Sequence, residues 1–167
     1  CALGDIAFLL GEFASAREHL EKGTVLYNPQ QHHALTFLYG INPKVAYESH
    51  AALALWFLGY PNQALRKSQA TLIQAEELSH LYSRVITLGW AAFLHQHCKE
   101  WRTTQEKAEA TFALSMEHGF PVYLAWGNIF LGWVLTKQGQ AEEGLARIHQ
   151  GLTAYRLSVF RPYFLAL

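Results

Sequence analysis

The sequence predicts an all-α chain, a superhelical solenoid of about four helix–turn–helix hairpins with a period near 40 residues. Three observations carry this reading. A triad of small residues recurs four times with fixed internal spacing, a turn residue sits inside each copy, and the flanking segments carry apolar stripes of helical period.

The triads are Gly4, Ala16 and Gly23; Ala52, Ala64 and Thr71; Ala92, Thr104 and Thr111; and Gly132, Gly144 and Gly151. The second member always follows the first by twelve residues and the third follows by seven more. Antiparallel helices approach closely only where side chains are small, so such sites recur on the facing stripes of a hairpin. Between the first and second members stand Gly11, Gly59, Lys99 and Gly139. Glycine suits a helix end because it adopts positive φ at little steric cost. Lys99 breaks that column and makes the third turn the least defined.

Helices are predicted near residues 1–10, 12–27, 43–58, 60–78, 80–98, 100–118, 120–138 and 140–157. The stripe of the second hairpin is Ala64, Ser68, Thr71, Leu72, Ala75 and Leu78. In the third it is Trp101, Thr104, Ala108, Thr111, Phe112 and Ser115, and in the fourth Ala141, Gly144, Ile148, Gly151, Leu152 and Tyr155. This spacing buries one helical face. Asn42 before Pro43 reads as a cap followed by a first-turn proline, and Gly119 with Pro121 as one helix end and the next start. The repeats occupy residues 1–27, 43–79, 80–119 and 120–158 of one domain covering 1–167. Residues 28–42 form a long connection with room for a short helix over Ala34–Tyr39, and 159–167 read as the start of a truncated further repeat.

Composition narrows the function classes. Half the residues are hydrophobic and 16% are charged, a globular balance. Formal net charge is zero, which argues against a nucleic-acid partner, because phosphate binding calls for clustered Lys and Arg. No apolar run approaches the roughly 18 residues of a membrane span, so no membrane partner is expected. Cys1 and Cys98 form no C-x-x-C pair and fit a reducing, cytoplasmic compartment. The chain starts on Cys1 and its only Met is Met116, as expected of a segment from a longer product.

The spacing around Leu10-Gly11-Glu12-Phe13 with Ala16, Leu58-Gly59-Tyr60 with Ala64, and Gln138-Gly139-Gln140 with Gly144 resembles the tetratricopeptide repeat. The 40-residue period exceeds that repeat's usual length, and its aromatic positions are mostly absent here. Longer stretches, including Leu55-Trp56-Phe57-Leu58-Gly59-Tyr60-Pro61, Gly139-Gln140-Ala141-Glu142-Glu143-Gly144 and Arg161-Pro162-Tyr163-Phe164-Leu165, are similar to C-terminal repeat regions of bacterial multidomain proteins. Those proteins carry a class III nucleotide cyclase and an AAA-type ATPase upstream. The resemblance implies a non-enzymatic interaction and regulatory scaffold, an intramolecular sensor or docking module for other domains of the same polypeptide. It also implies that the first helix of each hairpin lines a concave groove. In that register the groove-lining residues are Asp5, Phe8, Ser49, Leu53, Trp56, Phe57, Gly89, Phe93, Gln96, His97, Trp126, Ile129, Trp133 and Lys137. This wall is aromatic and lacks the family's Lys/Asn/Arg clamp for a peptide carboxylate. Such a wall suits an apolar peptide or helix anchor, with a flat small ligand as the alternative.

The residues offer little for catalysis or metal binding, so no catalytic residue, metal or cofactor is expected. His95 and His97 are two apart on a predicted helix and face different ways, and His32-His33 lie in the long connection. Zinc wants three or four converging ligands. Glu77-Leu78-Ser79-His80 has the spacing of a di-iron motif, but that chemistry needs two copies and further glutamates. Asp5 is the sole aspartate, and Cys98 and His97 are helix neighbours that do not face each other. Neither a phosphate-binding glycine loop nor a nucleophile elbow is present. The apolar run Val159–Leu167 is expected to fold back on the fourth hairpin, or to drive self-association through the C-terminal end.

Overall fold

The computed structural model describes residues 2–164; the side chains of 32–34, 37, 39 and 159–164 lie outside the description, as do residues 1 and 165–167. The expectations placed on His32-His33 and on the apolar tail therefore fall outside the described side chains. Among the described residues there are nine helices and no strand. They are α1 (Ala2–Leu9), α2 (Phe13–Leu26), α3 (Pro29–Tyr39), α4 (Pro43–Phe57), α5 (Pro61–Glu77), α6 (Leu81–His97), α7 (Trp101–His118), α8 (Pro121–Lys137) and α9 (Ala141–Phe164). The chain is all-α and built of helical repeats.

The long connection is itself a helix. Asn28 caps α3 by accepting from the Gln30 backbone N–H at 2.9 Å, and Pro29 occupies the first helical position. The Asn-Pro pair at 42–43 starts α4 by the same device, with Asn42 Oδ1 accepting from the Lys44 and Val45 N–H groups. The helix thus starts at Pro29, five residues ahead of the expected Ala34, because the first of two identical start signals lies at 28–29.

Hairpin turns share one backbone conformation. Gly11, Gly59 and Gly139 have φ of 79°, 85° and 86°, and Lys99 adopts 60°. The third turn therefore forms like the others. The Lys99 N–H bonds the Gln96 carbonyl, and the Glu100 N–H bonds the His95 carbonyl. A second left-handed series stands at Gly40, Ser79 and Gly119, just ahead of α4, α6 and α8.

Two compact units divide the chain, Cys1–Leu94 and His95–Leu167. In the first, α1 packs on α2, and α4 packs on both α2 and α5. Ala16, Leu20, Val45, Leu53, Ala64 and Thr71 are enclosed there. A polar network ties three helix ends together. The Asn42 N–H donates to Ser83 Oγ at 3.0 Å, Asn42 Nδ2 donates to the Tyr27 hydroxyl, and the Ser83 N–H donates to His80 Nδ1. His80, the last residue of the di-iron-like spacing, is thus the residue that caps α6.

In the second unit α8 packs on α7 and α9. A Cβ placed on Gly132 would lie 2.6 Å from the Gly144 carbonyl oxygen, and one on Gly144 would lie 2.6 Å from that of Gly132. In the fourth hairpin the first and second triad members therefore meet backbone to backbone. The threonines of the triads act as small residues because their hydroxyls turn inward. Thr71, Thr104 and Thr111 each donate to the carbonyl four residues earlier, at 2.8–2.9 Å. Of the expected stripes, Leu78, Ala141 and Leu152 lie on the surface, and Gly23 is half-buried.

Candidate functional site

In the first unit the aromatic residues of α1, α2, α4 and α6 form one cluster. Its organising element is the helical spacing of Asp5 and Phe8 on α1 and of His50, Trp56 and Phe57 on α4. Asp5 Oδ1 accepts from His50 Nδ1 at 2.8 Å. Phe8 stacks on the imidazole at 5.5 Å, and Trp90 meets the ring edge-on at 4.8 Å. Further along, Phe13 and Phe57 stack nearly parallel at 4.4 Å, with Phe8 edge-on to Phe13 and tilted against Phe57. Trp56 stands edge-on to Phe57, and Phe93 edge-on to Trp90. Offset and edge-on pairs of this kind hold their geometry because positive ring edges meet negative faces.

Most of these rings are half-buried and Phe57 is 37% exposed, so the cluster is anchored in the unit and open on one side. Ser49 and Leu53, also of the expected groove, line a small gap with Trp90. Both are buried, and the Ser49 hydroxyl donates to the Val45 carbonyl at 2.8 Å. The Asp5–His50 contact holds α1 to α4, while the Ser49 hydroxyl next in sequence is bound into its own helix.

The second unit places its expected residues in separate groups. Trp126 is edge-on to Tyr123 at 5.5 Å and to Phe130 at 6.1 Å. Lys137 Nζ sits 5.4 Å from the centroid of Trp133, a cation over a ring face. Ile129 faces α9, where a Cβ on Gly151 would approach its side chain to 2.7 Å. Gln96 and His97 are half-buried at the end of α6. His95 Nδ1 pairs with Glu100 Oε2 at 2.6 Å across the third turn.

Three members of the first cluster, Phe13, His50 and Trp90, escape sequence reasoning. Offsetting by the repeat aligns Ala2, His50, Trp90 and Phe130 in one column. That column lies outside the groove register. Phe13 sits on a second helix, which the register omits.

Among the described residues no group of three or more His, Cys, Asp and Glu lies together, and no helix is long and apolar enough to cross a membrane. No curated protein and no solved structure matches the chain. A tetratricopeptide repeat family model matches residues 1–22, which span α1, the Gly11 turn and the first part of α2. The N-terminal hairpin is therefore similar to a repeat of a type that suggests a protein-interaction scaffold.

Proposed function

We propose that the chain is a non-enzymatic docking and regulatory scaffold that binds apolar segments of other domains in its own polypeptide. In this reading the polypeptide is a larger bacterial signalling protein of the cytoplasm, with the groove register of the first helices as its binding face. The observation that carries the proposal is the half-exposed aromatic cluster in which Phe8 and Phe13, on the hairpin that the tetratricopeptide model matches, meet Phe57 and, beside it, Trp56 of α4. Rigid aromatic rings give large contact area at low entropic cost, the usual character of an interface anchor. The test supplies the remainder of the polypeptide in trans and follows tryptophan fluorescence. Saturable binding, weakened about tenfold or more by Phe57→Ala, is expected for a truncated anchor. Equal binding by the variant, or no binding at all, would refute the reading.

One observation favours sensing of a small ligand as the second reading. An open recess of about 410 Å³ lies beside the cluster, walled by Leu35, Ile41, Pro43 and Tyr47, with Asp5 as its acidic group. Its size is within the range of small-molecule sites. A ligand held there would raise the melting temperature with concentration, and Asp5→Asn would remove that rise.

A further inference from the structure

Three helices of the first unit begin on a side-chain cap. Asn28 and Asn42 cap α3 and α4 with an amide oxygen, whereas His80 caps α6 with an imidazole nitrogen. The helices α2, α5, α7 and α8 start without a side-chain cap hydrogen bond. An amide oxygen accepts hydrogen bonds at any ordinary pH. An imidazole nitrogen accepts only while it carries no proton.

The neighbours of His80 fix which nitrogen that is. The Ser83 N–H donates to Nδ1 at 3.2 Å, and the Ser83 hydroxyl lies 2.8 Å from the same atom. Because Nδ1 accepts from a backbone N–H it bears no proton, so the hydroxyl must donate to it as well. The neutral ring therefore carries its proton on Nε2, an assignment made from the hydrogen-bond network. The Ser83 oxygen in turn accepts from the Asn42 N–H at 3.0 Å, and Asn42 Nδ2 donates to the Tyr27 hydroxyl at 3.0 Å. One chain of hydrogen bonds thus runs from the start of α6 through the start of α4 to the end of α2. Ser83 is 0% and Asn42 4% exposed, so water does not replace a lost partner there.

We infer that His80 is a pH-sensitive clasp, which joins the start of α6 to the start of α4 only while its imidazole is neutral. A proton on Nδ1 would point a donor at the Ser83 N–H. If the hydroxyl turned to accept from that proton, both the Ser83 N–H and the hydroxyl hydrogen would lose their acceptor. Buried donors left unmet are unfavourable, so protonation opens the junction. The ionisable groups on the segments that meet here are Tyr27 of α2, Lys44 and Glu48 of α4, Glu76 and Glu77 of α5, and Tyr82 and Arg84 of α6. Arg84 lies 3.8 Å from Glu76. Among the described residues the histidines in ion pairs are His50, His95 and His118, so no carboxylate pairs with the His80 ring to hold its charge. The clasp is complete above the ordinary histidine range, about pH 6.5, and is lost as the pH falls below it. No partner takes part, so the clasp can be tested whatever the chain binds.

Long-range proton–nitrogen correlation NMR of the whole labelled chain reads the ring directly. At about pH 7.5 the assigned His80 signals should be those of a ring protonated on Nε2 alone. Hydrogen exchange of the Ser83 amide reads the clasp. Corrected for the intrinsic pH dependence of exchange, its protection should fall about fivefold or more between about pH 7.5 and about pH 5.5, the scale of a lost helix cap. His80→Asn keeps a capping oxygen and removes the titrating nitrogen, so its Ser83 protection should stay level. A ring protonated on Nδ1 at the higher pH overturns the inference. So does Ser83 protection that ignores pH in the unaltered chain, or that falls equally in His80→Asn. The ring and amide measurements on the unaltered chain decide the matter even where the variant does not fold.

Discussion

In the fourth hairpin α8 and α9 meet backbone to backbone, with the carbonyl oxygen of each glycine 2.6 Å from where the other's Cβ would be. In the first hairpin the corresponding glycine, Gly4, faces a side chain. A Cβ there would lie 2.7 Å from Leu20 Cγ and 2.8 Å from Cδ2, with the Leu20 backbone nitrogen at 3.2 Å. The same small-residue column thus serves two kinds of contact. Backbone atoms cannot yield without moving a whole helix, whereas a leucine side chain can turn. Tolerance at a crossing depends on which atoms oppose the small residue, and residue size alone does not report it.

The sharpest way to break this comparison is Gly144→Ala. The methyl would force α8 and α9 apart, at a net cost of about 3 kcal/mol, the upper part of the overpacking range. Urea unfolding measures it, and a cost near zero would show that the backbones are not in contact. Ala92→Leu comes next. Ala92 is fully enclosed, and three added carbons should cost about 2 kcal/mol, whereas a loss of a few tenths would place Ala92 away from any tight packing. Gly4→Ala should cost only about 1 kcal/mol, because alanine's better helix propensity offsets part of the displacement of Leu20. If Gly4→Ala matched Gly144→Ala, the distinction between side-chain and backbone opposition would fail.

A smaller change of opposite sign is expected at the third turn. Lys99 holds φ at 60°, where its neighbours in the column are glycines. Lys99→Gly should stabilise by about 0.5–1 kcal/mol, as relief of left-handed strain outweighs the added freedom of the unfolded chain. Thermal melting would detect the gain, and destabilisation would mean that the lysine side chain has a role beyond the turn. The smallest effect expected is none. If packing and turns account for the folded state, a strong chelator should leave the melting temperature unchanged; a marked drop would reveal a metal contribution to folding.

Much of the fold was legible because its signals are short-range. A cap, a proline or a turn residue acts within a few positions, and a triad with constant spacing marks where two helices must come close. The start of α3 carries in Asn28-Pro29 the same signal as Asn42-Pro43. Lys99 breaks the glycine column without breaking the turn, since the turn requires a left-handed backbone, which glycine favours but does not monopolise. The candidate site was less legible. Phe8, Trp56, Phe57 and Phe93 follow from register, but Phe13 joins them from a second helix, and His50 and Trp90 through contacts between helices far apart in sequence.

The sequence by itself determined the all-helical character, the hairpin period, the turn positions and the small residues at the crossings, because each depends on local backbone preference or on a repeated spacing. Tertiary structure decided which apolar stripes are covered. Leu3 and Ile6 read like any buried helical face, yet they are exposed, while Ala51 and Ala54 in the same columns are enclosed. It also decided that Ser49 and Leu53 are enclosed, and that Asp5 meets His50. Burial is a property of two surfaces, and a single helix's sequence specifies only one of them.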